Sequence, residues 1–332
     1  MWACVFLLGC TDKEISVNTD YRFVNPANFP EPTYTFENNP VTEAGFELGR
    51  RLFYDPMLSV DGTVSCNNCH QLALAFADAQ QHPLSIGVDN RMGKRNAPAL
   101  TNLAYMDEFF WDGGVTHLDH VPINAIEAEF EMDEELSNVV KKLRYSPMYD
   151  SMFRVAFDIK EITSPFMLHA LAQFTVMMVS SNSKYDKYVR KEGETLTDEE
   201  LRGMQSFETK CASCHKGELF TDMSYRNNGI SAVFEDKGRA TITTRDSDIG
   251  KFRVPSLRNV QRTSPYMHNA MFETLEEVLD HYENGILLSE TLDPLLVHGI
   301  QFDEGEKANI IAFLKTLTDY EFIADQRFIA PR

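Results

Sequence analysis

Apolar residues recur at helical spacing from Val41 to Tyr54, where Phe46, Leu48 and Leu52 fall on one side. The same period predicts helices over Asp133–Tyr145, over Pro147–Phe157 behind an N-capping Ser146, and over the more apolar Pro165–Ser181. Thr197-Asp198-Glu199-Glu200 and Thr274-Leu275-Glu276-Glu277 are capping boxes. The first opens a helix that runs to Cys211, and the second a helix through Tyr282 that stops before Gly285. A last helix is expected over Asp303–Leu317, capped by Asp303 and Glu306. Between these lie polar or glycine-bearing stretches at 12–40, 87–98 and 217–253 that read as loops and an extended arm. The pattern is that of a mostly α protein with long loops. The charged stretch Lys184–Glu194 divides it in two.

Each half carries one copy of a short chemical motif, Cys66-Asn67-Asn68-Cys69-His70 and Cys211-Ala212-Ser213-Cys214-His215, the only internal repeat visible in the sequence. Cys-x-x-Cys-His is the attachment run for a c-type haem. The two thiols form thioethers to the haem, and the adjacent histidine supplies the proximal iron ligand. Cys-x-x-Cys alone also serves zinc and thiol redox chemistry, but two complete copies point to a di-haem protein. His70 and His215 are then proximal ligands, and Cys66, Cys69, Cys211 and Cys214 the covalent anchors.

Composition narrows the picture further. The chain has 332 residues, 43% of them hydrophobic and 24% charged, a balance of globular proteins. A net charge of −19 excludes nucleic acid as an expected partner and favours a basic redox partner. Six cysteines, four used by the two motifs, leave only Cys4 and Cys10. These lie in an apolar opening that resembles the end of a bacterial lipoprotein signal, with Leu7-Leu8-Gly9-Cys10 as the lipidation site and no basic n-region before it. The expectation is a truncated signal over 1–10 and a periplasmic protein tethered through a lipidated Cys10. Pro165–Ser181, interrupted by His169 and Gln173, falls short of a membrane span.

Longer blocks carry a family resemblance over nearly everything after residue 40. They include Arg95-Asn96-Ala97-Pro98, Phe110-Trp111-Asp112-Gly113-Gly114, Asn182-Ser183-Lys184-Tyr185-Asp186 and Phe220-Thr221-Asp222. Val254-Pro255-Ser256-Leu257-Arg258-Asn259-Val260, then Pro265-Tyr266-Met267-His268 through Val278, form the longest match. In order and spacing the chain resembles the bacterial di-haem cytochrome c peroxidases and their relative, the tryptophylquinone-forming di-haem enzyme of methylamine utilisation. The resemblance implies two c-type cytochrome domains, each of helices and long loops around one covalent haem. Residues 41–190 would hold the peroxide-reacting haem and 191–332 the electron-transfer haem, after a leader over 11–40.

The resemblance also assigns roles. Trp111 falls where the family places an indole between the haems. Asn96, Thr263 and Pro265 match the positions that hold calcium, and an amide with carbonyls suits that ion. The distal glutamate falls on Glu131, with Glu127 and Glu129 as neighbouring alternatives. A carboxylate there can move a proton between peroxide oxygens. The acidic run Asp133 to Glu135 reads equally as a solvated helix start. Val121, Ala125 and Ala128-Glu129 replace polar or proline residues common around that glutamate. Val88 stands where activated peroxidases carry an iron-closing histidine, which predicts a permanently open first iron, with His82 the nearest rescuing ligand. On the far side of the second haem the register gives Tyr282, with Met267 and Met271 as competing ligands and His268 and His281 as weaker rivals. Phenolate favours ferric iron, whereas thioether raises the potential.

The leading expectation is a peroxidase that reduces hydrogen peroxide with electrons from a small periplasmic donor, a cytochrome c or a cupredoxin. The alternatives are a di-haem oxidase acting on a protein or organic substrate through a high-valent haem pair, and a non-catalytic di-haem electron carrier. Family members are often homodimers, although no segment of this sequence derives that.

Overall fold

The computed structural model describes residues 21–78 and 84–331, so Cys4, Cys10, His82 and the signal-like opening lie outside the described residues. Within them the chain forms α1 (Glu43–Tyr54), a one-turn α2 (Cys66–Cys69), α3 (Val121–Glu127), α4 (Leu136–Tyr145), α5 (Pro147–Phe157), α6 (Ser164–Val176) and α7 (Lys184–Val189). The second half adds α8 (Asp198–Lys210), a one-turn α9 (Ala240–Thr243), α10 (Leu275–Asp280) and α11 (Glu306–Lys315). Strand is confined to a two-residue antiparallel pair, β1 (Tyr225–Arg226) and β2 (Phe252–Arg253), with Tyr225 opposite Arg253. The mostly helical class expected from the pattern is observed. None of the described helices is long and apolar enough to cross a membrane.

Two hydrophobic cores organise these elements. In the first, α1 starts at an N-cap Thr42, whose hydroxyl accepts from the Gly45 amide at 3.0 Å. It buries Phe46, Leu48 and Leu52 completely. It lies so close to α6 that a Cβ on Gly49 would stand 1.9 Å from the Ala170 carbonyl oxygen. Phe46, Phe53, Phe76 and Phe174 meet around this crossing, mostly edge to face. The second core is smaller and built the same way. Its helix α8 crosses α11 at Gly203, where a Cβ would lie 1.8 Å from the Asn309 carbonyl oxygen. Phe207, Phe220 and Phe313 fill the space beside it. The repeat is therefore larger than the haem motifs: each motif follows a helix seated by a glycine on a later helix.

The seam between the cores is not a loop. Its first residues form α7, capped by Ser183 and Asp186. Asp186 also receives a two-pronged ion pair from Arg258 at 2.8 and 2.9 Å, with both side chains fully buried. Arg258 in turn lies 4.4 Å from the centre of the Phe29 ring, tying the leader to both halves. The last residues cross back as well. Phe322 and Phe328 are buried in the first core, and Tyr54 donates to the Phe328 carbonyl at 2.6 Å.

Predicted limits of three helices are corrected: α11, expected over Asp303–Leu317, runs from Glu306 to Lys315 behind Gly305, whose φ is +77°. Helix α4 begins at Leu136 rather than Asp133, because Asp133 takes a positive φ of 50° and its amide closes a turn onto Ala128 O. Helix α6 stops at Val176 rather than Ser181. Beyond it, side chains from elsewhere take the backbone: Asn102 accepts from the Ser180 amide and Asp319 from the Asn182 amide.

Candidate functional site

The first motif folds as the single turn α2. Its spacer residue Asn68 closes a reciprocal cap with Ser65, accepting from that residue's amide at 2.9 Å and hydroxyl at 2.8 Å. The turn places Cys66 and Cys69 side by side as free, half-buried thiols. His70 follows, and its Nδ1 lies 2.9 Å from the Phe76 carbonyl. That bond fixes the ring and leaves Nε2 as the free nitrogen, the arrangement that orients a metal-binding histidine. The second motif repeats the device at the end of α8. Cys211 caps the helix, and His215 Nδ1 lies 3.2 Å from both Phe220 O and Pro255 O. Burial lowers the pKa of both histidines, so both rings stay neutral and able to ligate.

Around the first motif the structure brings Glu131 and the Gly87–Val88 loop together. After α3 ends, residues 128–134 form a tight turn, with the Glu131 amide on Ala128 O and Met132 on Ala125 O. The Val88 amide donates to Glu131 O at 2.8 Å. The loop comes so near that a Cβ on Gly87 would sit 2.3 Å from Phe130 O and 2.4 Å from Glu131 O. The Glu131 carboxyl is half-buried, and its charge is felt by the Cys66 and Cys69 thiols. Burial pushes its pKa up to about 7. Glu127 and Glu129 are exposed. Val88 is 1% exposed, part of the core, and Val121 packs against the same core.

The second motif faces a large cavity lined by Cys211, Cys214, His215, Trp111, Met267 and Tyr282 among others. Tyr282 is delivered by a π-helical turn, residues 281–285, that continues α10. Such turns often re-aim a side chain at a functional site. Burial pushes its phenol up to about 12. Met271, by contrast, is 51% exposed and outside that lining. His268 stacks on Phe252 at 3.5 Å, and burial lowers it to about 4. His281 bonds Asn228 O at 3.0 Å. Trp111 stands at the cavity wall with Nε1 donating to Asn96 O at 2.8 Å. The Asn96 side chain lies 2.6 Å from Pro265 O, while Thr263 turns its hydroxyl to Val260 O.

Comparison with known proteins decides the family. Residues 43–194 match the family model for di-haem cytochrome c peroxidase. The chain is 33% identical over 277 residues to the cytochrome c551 peroxidase of Nitrosomonas europaea, covering 82% of this chain and 79% of that one. This chain belongs to the di-haem cytochrome c peroxidase family. It is also 33% identical over 301 residues to the methylamine utilization protein MauG of Methylorubrum extorquens, covering 89% of this chain and 83% of that one. A solved structure of a MauG-like protein associated with microbial copper homeostasis superposes with a TM-score of 0.86 at 31% identity, covering 94% of this chain and 99% of that one.

Membership in the peroxidase family implies two haems, and the residues present fit them. Both sites offer paired free thiols beside a neutral histidine with one nitrogen already engaged. The second cavity also holds a buried arginine whose guanidinium is only partly hydrogen-bonded. Arg253 lines it, its NH1 donates only to Met106 Sδ and Glu108 O, and its buried Nε has no partner. Burial lowers its pKa to about 10. A haem propionate would satisfy that donor. Among the described residues no cluster of three or more His, Cys, Asp or Glu is arranged as a metal site, so the donor set of a structural zinc centre is not assembled.

Sequence reasoning missed Arg253 and Asn228. Neither carries a motif; Arg253 directly precedes the Val254–Val260 block, and Asn228 lies in the unpatterned 217–253 loop.

Proposed function

We propose that the protein is a di-haem c-type peroxidase that reduces hydrogen peroxide to water with electrons from a small cytochrome or cupredoxin donor. The observation that carries this reading is Glu131: a half-buried carboxyl held against the Gly87 loop, near the first pair of thiols, with its pKa raised to about 7. The haems, once attached through Cys66, Cys69, Cys211 and Cys214 and ligated by His70 and His215, would supply the peroxide-binding iron and the electrons. Glu131 takes a proton from one peroxide oxygen and returns it to the other, so that water can leave as the O–O bond breaks. A carboxyl with a pKa near the working pH does both halves of that exchange. Val88, buried in the core, offers no ligand to close the first site. Val121 and Ala125 leave the peroxide pocket short of polar groups.

Trp111, anchored through its indole N–H on Asn96, is assigned the role of electron relay beside the second cavity. Asn96, Thr263 and Pro265 are assigned to calcium. Turning the Asn96 amide would set its oxygen beside the Pro265 carbonyl, and those hard ligands suit the ion. Each cytochrome domain would wrap one haem, over 41–190 and 191–332, in the periplasm, with Cys10 as lipid anchor.

A second reading is favoured by Tyr282, which lines the second cavity where a phenolate ligand would lower the potential. It makes the protein an oxidase of a protein or organic substrate, as its similarity to MauG allows. The test is peroxide turnover by the purified holoprotein with a reduced small cytochrome. Rapid donor oxidation supports the peroxidase. Peroxide consumption without donor oxidation supports the oxidase. Two six-coordinate low-spin ferric haems and no consumption would leave only an electron carrier.

A further inference from the structure

The second cavity presents two side chains able to ligate iron at once, Tyr282 and Met267. One residue meets the sulfur directly and the element bearing the tyrosine through its backbone. The Asn228 side-chain nitrogen lies 3.2 Å from Met267 Sδ. A thioether accepts hydrogen bonds and cannot donate them, so the amide must turn its NH2 group toward the sulfur.

Asn228 is itself fixed to the element that carries the tyrosine. Its carbonyl accepts from His281 Nε2 at 3.0 Å, and His281 is the first residue of the π-helical turn and the neighbour of Tyr282. On the following residue the chain turns sharply: Gly229 has a φ of +72°, and its carbonyl accepts from Leu287 at 2.8 Å. Met267 is held from the other side. Its backbone sits in the left-handed region at φ +74°, and its carbonyl accepts from the Ala270 amide at 3.2 Å. The two rival ligands thus come from separate loops, and Asn228 links those loops, through its side chain to the Met267 sulfur and through its carbonyl to His281 beside Tyr282.

We propose that Asn228 is a positioning residue that selects the axial ligand of the second haem, occupying the Met267 sulfur so that the thioether stays off the iron while the Tyr282 oxygen is presented to it. The proposal rests on the reading of Tyr282 as that ligand. A thioether whose lone pair is engaged is a poorer ligand, and ferric iron prefers the anionic phenolate. Asn228 thereby sets the second haem toward low potential.

The experiment uses ferric holoprotein, comparing wild type, Asn228→Leu, Asn228→Asp, and Asn228→Leu combined with Met267→Leu by absorption, electron paramagnetic resonance and potentiometric titration. Asn228→Asp keeps the size of the side chain and removes both donors, so it carries the test should the leucine variant fail to load haem. The expected result is a tyrosinate charge-transfer band in wild type. Both single variants gain the far-red band of histidine–methionine haem, with a higher midpoint potential of the second haem, and the double variant loses that band. Single variants that keep the wild-type spectrum and potential overturn the proposal while leaving the Tyr282 assignment intact. A histidine–methionine band already present in wild type overturns both. The readouts are spectral and potentiometric because the second haem also passes the electrons that peroxide turnover consumes.

Discussion

The two motif-bearing regions share a scaffold and differ in what approaches it. In each, a helix seated by a glycine on a later helix leads to a Cys-x-x-Cys-His turn, and a phenylalanine carbonyl, of Phe76 or Phe220, holds the histidine Nδ1. Around the first turn stand a core valine and a carboxyl pushed up to about 7. The second has a phenol, a thioether and an amide that donates to the sulfur. The lesson is that the attachment turn makes a haem site, and the loops that approach it decide whether the site reacts or relays. Val88 and Asn228 matter for this reason, although neither is a ligand.

Several changes would break or sharpen that contrast. The largest effect is expected from Glu131→Gln, which should lower kcat for peroxide by about 10²–10⁴-fold, the usual worth of a proton-transfer group, with both haem spectra unchanged. In the unaltered protein, turnover should fall as pH drops through about 7. Below that value the raised pKa leaves Glu131 protonated and unable to accept the first proton, and the acid limb should vanish in the glutamine variant. A rate profile flat between pH 6 and 8 would assign the chemistry elsewhere. Next comes the seam that both regions share. Arg258→Met strands Asp186 as a buried carboxylate and should cost about 3–5 kcal/mol, read as a lowered Tm for the whole chain. Because the Arg258 partnership holds that carboxylate below its ordinary pKa, its contribution is present at neutral pH and fades on acidification.

A smaller effect is expected at Thr274→Ala, which removes the hydroxyl that accepts from the Glu277 amide at 3.1 Å and caps α10. It should cost about 1 kcal/mol of stability and loosen the turn bearing Tyr282, visible as broadening of the second haem's signals alone. No effect at all is expected from reductive pretreatment. With Val88 in the loop, peroxide turnover should start without a lag in the fully oxidised protein, and a low-spin bis-histidine signal from the first haem would erase the contrast.

Much of the fold was legible in the chain because its helices announce their ends. The Ser146-Pro147 start, the Thr197 and Thr274 capping boxes and the amphipathic run into Tyr54 all form as their residues dictate. The limit that failed beyond Val176 is set by partners distant in sequence, Asn102 and Asp319, which no local pattern can register, whereas those at Asp133 and Asp303 are moved by left-handed backbone at Asp133 and Gly305. The site divides the same way. The thiols and histidines follow from spacing, whereas the burial that raises Glu131 and the sulfur contact of Asn228 exist only after loops distant in sequence meet within each half.

The returning C-terminal segment has a consequence for assembly. Phe322 and Phe328 complete a core most of whose other walls are laid down before residue 180, and Arg50 donates to the Ile329 carbonyl. During synthesis the first haem region must wait, unfinished at one side, until the final dozen residues arrive. Shortening the chain by that much should therefore undo the distant half first, and leave the nearer one standing.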